Sequence, residues 1–176
     1  MSELISGKII SAQINEELRN EVDYLKDRGV EPCLAVILVG EDPASAVYVR
    51  NKKRTCAELG IRSVGHDLPE TTSQDELENL VHDLNNDPSI HGILNQFPLP
   101  KGLDESRVIR TIFPEKDVDG LHPLNAGLIA MGQPSFISCT PYGVLQMLKR
   151  SNISTSGKKV VVLGRSNLVG RPIATL

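Results

Sequence analysis

The chain alternates short apolar runs with amphipathic helical segments, and this alternation limits the folds open to it. The run CLAVILVG, residues 33–40, is rich in β-branched residues and too short to span a membrane. Such a run is typical of a buried strand in a parallel sheet. Asp42-Pro43 follows it as a helix cap with proline in the first helical position. The sequence therefore predicts a strand followed by a helix, the repeating unit of an α/β fold.

The same patterns place the other elements. Ser73 and Glu76 form a capping box before a helix that carries Leu77 and Leu84. Thr140-Pro141 predicts the start of another capped helix, and residues 113–127 are predicted to be a loop because they hold two prolines and two glycines. Further helices are predicted before Gly29, from Pro43 to Leu59, around Val108 and Ile112, and after the last strand. Strands are predicted at residues 33–40, 61–69, 90–96 and 159–164.

The fourth predicted strand restarts the pattern after a long irregular interval, which indicates two domains. We place the first domain at residues 1–138 and the beginning of a second domain at residues 139–176. The second segment contains one strand and the start of one helix, which cannot cover both faces of a parallel strand. We therefore expect an incomplete second domain in a chain that is cut short.

Composition excludes several functional classes. A formal net charge of -3 and a pI near 5.8 argue against general nucleic-acid binding. The three cysteines are widely spaced, which favours free thiols in a reducing compartment, and the histidines lack metal-ligand spacing. The N-terminus has no signal-peptide pattern. We expect a cytoplasmic protein with no metal, no nucleic-acid partner and no membrane partner.

The segment AVYVRNKKR, residues 46–54, places four cations within five residues of a predicted helix. At about 100° per residue, Tyr48 and Lys52 lie one turn apart on a face that also carries Val49 and Cys56. The other three cations are predicted to be a solvated face. Because burial disfavours the charged form of a lysine, Lys52 is a candidate for proton exchange near neutral pH. The alternative is that Lys52 only extends its stem over the edge of the core.

Three other features are candidates for ligand binding. Gln96 ends the third predicted strand, where ligands bind in open parallel sheets, although its amide would serve the following loop equally well. Asp117 and Asp119 are either turn formers or ligand-binding carboxylates. The loop GRSNLVG, residues 164–170, lies between a strand and a helix, a context that suits phosphate binding. Arg165 would meet an extra phosphate there and favours NADP over NAD.

Five motifs occur in order along the chain: YVRNK, GILNQFPLP, PEKDVDGLHPLNAG, CTPYGV and VVLGRSNLVGRP. Their order and spacing resemble the bifunctional methylenetetrahydrofolate dehydrogenase/methenyltetrahydrofolate cyclohydrolase family, from Gly7 to the last residue. The resemblance implies that a hydride passes from 5,10-methylenetetrahydrofolate to NADP, and that water then converts the methenyl product to 10-formyltetrahydrofolate. It also implies a parallel-sheet α/β catalytic domain followed by a Rossmann-type domain, a homodimer, and a role in purine biosynthesis.

The resemblance further implies roles for individual residues. Lys52 is expected to be the acid/base group, with Tyr48 packed on the folate and Gln96 hydrogen-bonded to Lys52. Asp119 is expected to anchor the pterin ring. The other expected folate contacts are Pro98, Leu99, Cys139, Thr140 and Pro141. The expected dinucleotide contacts are Gly164, Arg165, Ser166 and Gly170.

The chain departs from the family pattern at three positions. Asn95 stands where a small apolar residue is expected, Phe97 where leucine is common, and Ser138 where proline is usual. Two other functions stay open: a chain that binds folate without turnover, and a sugar- or nucleotide-binding α/β protein without catalysis. The combination of Lys52, Gln96 and Asp119 favours a folate enzyme over the second of these.

Overall fold

A computed structural model of the protein describes residues 4–176 as a mixed α/β chain. The described residues pack into two compact units. One unit is Leu18–Val118, and the other contains the described residues up to Glu17 together with Asp119–Leu176. Within residues 4–176, every helix is too short or too polar to cross a membrane.

Helices and parallel strands alternate in the first part of the chain. The strands are β1 (Cys33–Val39), β2 (Arg62–Leu68) and β3 (Gly92–Asn95). The helices are α1 (Gly7–Lys26), α2 (Pro43–Leu59), α3 (Gln74–Asn86), α4 (Glu105–Thr111), α5 (Pro123–Ala130), α6 (Cys139–Arg150) and α7 (Gly170–Thr175), with a 3₁₀ turn at Pro114–Lys116. β1 lies between β2 and β3 and pairs with both in parallel. The predicted fold class is confirmed.

The predicted caps fix where α2 and α3 begin and where α2 ends. Asp42 Oδ2 accepts a hydrogen bond from Ser45 N at 2.7 Å, and this backbone bond holds the pKa of Asp42 below its ordinary value. Ser73 and Glu76 form the reciprocal bonds of a capping box at the start of α3. Gly60 ends α2 in the left-handed conformation, with φ of 76°. These local bonds set the register of α2 against the sheet.

Two apolar clusters cover opposite faces of this sheet, because successive residues of β1 point to opposite sides. The smaller cluster contains Val36 of β1, Leu94 of β3 and Val49 of α2. The larger one packs alternate residues of β1 against α3 and α4. Its buried members are Cys33, Ala35, Ile37, Val39, Leu77, Val81, Leu84, Ile90, Ile93, Val108 and Ile112. Helix α2 therefore faces the side of the sheet that carries Leu94.

The predicted loop at residues 113–127 is wrong in its second half. Residues from Pro123 onward form α5, and the Nδ1 atom of His122 caps that helix by accepting a hydrogen bond from Leu124 N at 3.1 Å. The start of the next helix is also shifted. α6 begins at Cys139, so that Ser138 and not Thr140 occupies its N-cap position.

The predicted strand at residues 159–164 does not pair with any strand of the described residues. Val161 and Leu163 are 72% and 96% exposed. An extended segment becomes a strand when a neighbour satisfies its backbone N–H and C=O groups. All three strands belong to the unit Leu18–Val118, and the unit that contains residues 159–164 offers no such neighbour.

A row of side chains crosses the sheet at Ile37 and carries unpaired polar atoms. His66 of β2 and Asn95 of β3 flank Ile37 in register. Asn95 is 2% exposed, and neither its Nδ2 nor its Oδ1 atom has a hydrogen-bond partner among the described residues. His66 Nε2 is also buried and has no hydrogen-bond partner among the described residues. A buried polar group without a partner lowers stability by its desolvation cost.

Replacing Asn95 with valine should raise the free energy of unfolding by about 1–3 kcal/mol, because the change removes buried polar atoms that lack partners. Asn85→Val is the matched control. Asn85 is also buried, but its Nδ2 donates to Thr111 O at 2.7 Å and its Oδ1 accepts from Phe113 N at 2.9 Å. Asn85→Val should therefore have a lower free energy of unfolding than the parent. Urea unfolding measures this free energy for both variants. A lower free energy of unfolding in Asn95→Val would contradict the prediction and would indicate a buried water bonded to Asn95.

Candidate active site

Lys52 lies on the stripe of α2 that faces the sheet. Val49 and Cys56, about one turn to either side, are buried, while Lys52 itself is half-buried. Its Nζ atom donates a hydrogen bond to Gln96 Oε1 at 3.2 Å. The bond that the family resemblance implied is therefore present, and it joins a helix side chain to the carboxyl end of β3.

The carboxamide of Gln96 is held at both ends. Its Nε2 atom donates to Phe97 O at 2.8 Å, which leaves Oε1 directed at Lys52. The Gln96 backbone N–H also donates to Ile37 O at 2.9 Å, so that the residue stays in the sheet ladder. The Gln96 amide thus serves both the following loop and the lysine, and ligand binding by Gln96 stays a prediction. A neutral acceptor in this position orients the amine without adding a charge.

Tyr48 precedes Lys52 by one turn of α2 and is 62% exposed. An exposed ring next to a half-buried amine offers a flat surface on which a planar ligand can stack. Arg50 and Arg54 are exposed, as predicted for a solvated face. The aromatic ring and the amine therefore form one accessible surface at the edge of the apolar stripe.

The prediction of a solvated face is wrong for Lys53. Its side chain is 34% exposed and its Nζ atom lies 3.7 Å from Asp67 Oδ1 of β2. Its stem crosses Gly65, where a Cβ atom would collide with the Lys53 amine. Lys53 is thus paired with a carboxylate, whereas the neighbouring Lys52 is bonded to an amide.

The two predicted folate contacts after Gln96 point to different surroundings. Pro98 is exposed, and the Phe97–Pro98 peptide bond is cis. The side chain of Leu99 packs against the larger apolar cluster, on the side of the sheet away from α2. The structure therefore brings Pro98 to the surface and leaves Leu99 half-buried against the larger apolar cluster.

Asp119 and Cys139 meet in the unit that contains residues 119–176. Cys139 Sγ donates to Asp119 Oδ1 at 3.7 Å. Gly120 permits this approach, because its φ is 62° and a Cβ atom there would lie 2.7 Å from Phe136 O. In α6, Thr140 is exposed and Pro141 is fully buried, where it lines a cavity of about 410 Å³.

Asp117 has a different environment from Asp119. It is 3% exposed and forms a parallel bridge with Ile93, whereas Asp119 is half-buried. The buried position favours the structural interpretation of Asp117, and it leaves Asp119 as the carboxylate with access to solvent.

The loop GRSNLVG folds back on itself. A Cβ atom at Gly170 would collide with the Gly164 carbonyl, so this close approach requires glycine at position 170, while Gly164 has a φ of 146° that favours glycine. Ser166 Oγ accepts hydrogen bonds from Val169 N at 3.2 Å and Gly170 N at 3.4 Å. Arg165 is exposed, and the space beside Gly164 is open. An exposed guanidinium beside open backbone fits a phosphate group.

Cys33 and Cys56 are both buried. Burial raises the pKa of the Cys56 thiol, and it raises that of Cys33 as well, so neither thiol readily provides a thiolate nucleophile. In the part of the chain that the structure describes, no cluster of three or more His, Cys, Asp or Glu side chains is arranged to hold a metal ion.

Two family models match this chain. The model for the tetrahydrofolate dehydrogenase/cyclohydrolase catalytic domain matches residues 5–119, and the model for the NAD(P)-binding domain of the same enzymes matches residues 138–176. The chain belongs to the tetrahydrofolate dehydrogenase/cyclohydrolase family. The resemblance of the five motifs is thereby confirmed.

Individual relatives agree with this membership. The bifunctional protein FolD of Agathobacter rectalis is 54% identical over 176 residues, which are 100% of this chain and 63% of the relative. The crystal structure of FolD from Campylobacter jejuni matches 98% of this chain and 62% of its own, with a TM-score of 0.97 and 47% identity. FolD from Trypanosoma brucei, complexed with NADP and an inhibitor, matches with a TM-score of 0.94 and 36% identity, over 99% of this chain and 60% of its own. The chain thus spans about six-tenths of the length of these relatives.

Replacing Gly120 with alanine should lower the melting temperature and loosen the Asp119–Cys139 contact. An alanine at a φ of 62° is strained, and its Cβ would press on the backbone of residues 136–138. Gly127→Ala is the matched control, because Gly127 lies inside α5 with nothing within 4 Å of an added Cβ. That variant should gain helix propensity and melt slightly higher. Equal melting of the two variants in thermal unfolding would contradict the role of Gly120.

Proposed function

We propose that this chain carries the folate-converting part of a bifunctional enzyme. The enzyme oxidises 5,10-methylenetetrahydrofolate to the methenyl form and hydrolyses that product to 10-formyltetrahydrofolate. The observation that carries the proposal is the hydrogen bond from Lys52 Nζ to Gln96 Oε1 at the end of β3. The family match and the bifunctional relatives support the same pair of reactions.

Lys52 moves protons in the hydrolytic step. The methenyl carbon is part of a cation, so the neutral amine is tolerated beside it and an ammonium group would repel it. When water attacks this carbon, the amine takes a proton from the water. The bond between the carbon and pterin N5 then breaks, and Lys52 returns a proton to N5. The second water proton leaves to solvent, and the carbon remains on N10 as a formyl group.

The neighbouring residues position the reacting groups. Gln96 directs the Lys52 amine through its anchored carboxamide. The exposed ring of Tyr48 stacks on the planar folate. Asp119 accepts the adjacent N–H donors of the pterin as a charge-assisted pair, with Cys139 hydrogen-bonded to the same carboxylate. Pro98, Leu99, Thr140 and Pro141 complete the proposed folate contacts. Because the Leu99 side chain packs against the larger apolar cluster, Leu99 would reach the folate through its backbone.

NADP, when bound, supplies the hydride acceptor for the oxidation. We expect its phosphates to be held by Gly164, Arg165, Ser166 and Gly170. The exposed Arg165 and the open space beside Gly164 support this assignment, and so does the match of residues 138–176 to the NAD(P)-binding domain.

The division into domains and the cellular setting belong to the same proposal. We assign folate binding to residues 1–138 and the beginning of the NAD(P)-binding domain to residues 139–176. The two family matches cover residues 5–119 and 138–176. In packing, however, residues 119–138 group with residues 139–176. A homodimer in the cytoplasm that supplies one-carbon units for purine biosynthesis rests on the resemblance to the family.

Lys52→Met should reduce the hydrolysis of methenyltetrahydrofolate by about 10²–10⁴-fold, the usual contribution of an acid/base group. Lys53→Met is the matched control: it removes an adjacent amine that is paired with Asp67 and should keep the rate. Loss of the methenyl absorbance measures turnover, with and without NADP. If Lys52→Met hydrolysed methenyltetrahydrofolate at nearly the parent rate, the acid/base role of Lys52 would be excluded. A parent chain that binds folate without any turnover would support the non-catalytic alternative instead.

Asp119→Ala should weaken folate binding by about 2–4 kcal/mol, because it removes one half of a charge-assisted pair. Glu115→Ala is the control, since Glu115 is an exposed carboxylate in the nearby 3₁₀ turn. Asp117 is unsuitable because it is buried and its loss would disturb the fold. Isothermal calorimetry with tetrahydrofolate measures the affinities, and equal weakening in both variants would show that Asp119 has no specific role.

A further inference from the structure

The loop after Gln96 has a side-chain anchor that the catalytic assignment does not include. Leu99 N donates a hydrogen bond to Glu105 Oε1 at 2.9 Å. Glu105 is the first residue of α4 and its side chain is exposed. The acceptor for this loop amide thus comes from a helix that follows the loop in sequence.

The anchored segment contains the carbonyl group that orients Gln96. Phe97 O accepts from Gln96 Nε2 at 2.8 Å, and Phe97 precedes Leu99 by only two residues. If this carbonyl moves, the carboxamide loses its donor-side anchor. A rotated carboxamide would present its NH₂ group to the Lys52 amine. An ammonium would then face a second donor, and a neutral amine would have the lone pair that takes the proton occupied by that NH₂ group.

Helix α4 is itself held firmly at the end that carries Glu105. Asp104 N donates to Gln74 Oε1 of α3 at 2.7 Å. Arg107 Nη2 donates to Glu78 Oε2 of α3 at 2.7 Å, and the Glu78 side chain is only 15% exposed. These bonds fix the start of α4 to α3, so that Glu105 is attached to a rigid support.

We propose that Glu105 is a positioning residue for Lys52. Its carboxylate holds the loop of residues 97–99, the loop places the Phe97 carbonyl, and this carbonyl turns Gln96 Oε1 toward the Lys52 amine. Glu105 acts without touching the substrate. The effect on catalysis rests on the proposed function of Lys52, while the effect on the Gln96 carboxamide does not.

Three variants of the present chain separate this role from a general effect on stability. Glu105→Ala removes the acceptor, and Glu105→Gln keeps an acceptor oxygen at the same reach. Asp75→Ala is the control, because Asp75 is an 87% exposed carboxylate of α3 that lies 4.0 Å from Arg107 and bonds no loop amide. Glu105→Asp keeps the charge but is too short for the 2.9 Å bond, and it replaces Glu105→Ala if that variant does not fold.

Two measurements are made on each variant. The ¹H–¹⁵N NMR spectrum reports the Gln96 side-chain amide and the exchange rate of the Leu99 N–H. Hydrolysis of methenyltetrahydrofolate gives kcat and KM. In Glu105→Ala we expect at least tenfold faster exchange at Leu99, a shifted Gln96 amide signal, and a kcat at least tenfold lower with KM changed less than threefold. In Glu105→Gln and Asp75→Ala, the exchange rate at Leu99, kcat and KM should stay within threefold of the parent values. The Gln96 amide signal should keep its position in both variants.

The outcomes are distinguishable. An unchanged Gln96 signal in Glu105→Ala would overturn the proposal, and so would a change of the same size in Asp75→Ala. A shifted Gln96 signal with unchanged kcat, together with a fully active Lys52→Met, would uphold the positioning of Gln96 by Glu105 and overturn the function proposed for Lys52. A shifted signal with unchanged kcat and an inactive Lys52→Met would overturn the catalytic effect of Glu105.

Discussion

The bond between Lys52 and Gln96 depends on a parallel sheet that brings the end of β3 beside the buried stripe of α2. Val36, Leu94 and Val49 form the apolar contact beneath this bond. Gln96 shares a strand face with Leu94, and Lys52 follows Val49 by about one turn of helix. The apolar contact therefore sets the distance at which amine and amide meet. A change in the register of either element would turn one of the two groups away.

Neutral surroundings make this lysine different from its neighbour. Lys53 is paired with Asp67, whereas the Lys52 amine is bonded to a carboxamide that is itself anchored on Phe97. An amide directs an amine without stabilising its charged form as a carboxylate would. Two adjacent lysines thus receive a structural and a proposed catalytic role because their side chains point to different strands.

Much of the fold could be predicted from local signals, since Asp42, Ser73 and Gly60 cap their helices as expected. The predictions failed where a strand needs a distant partner and where a helix has an uncommon cap residue. Segment 159–164 has strand composition but no neighbouring strand among residues 4–176, and α5 is capped by His122, which is not among the preferred cap residues. The helical periodicity placed Lys52 on the correct face. The unpaired amide of Asn95 and the loop anchor Glu105 were not predictable, because each depends on what the rest of the chain packs around it.

We propose that the Lys52 amine, held by Gln96, contacts the bound folate. The most direct measurement is the ¹⁵N NMR signal of the Lys52 Nζ atom with and without tetrahydrofolate, assigned by its absence in Lys52→Met. We expect the Lys52 signal and the Gln96 side-chain amide signal both to shift when the folate binds, while the Lys53 signal stays in place. Folate binding that moves Lys53, or that leaves Lys52 and Gln96 unchanged, would contradict the proposal.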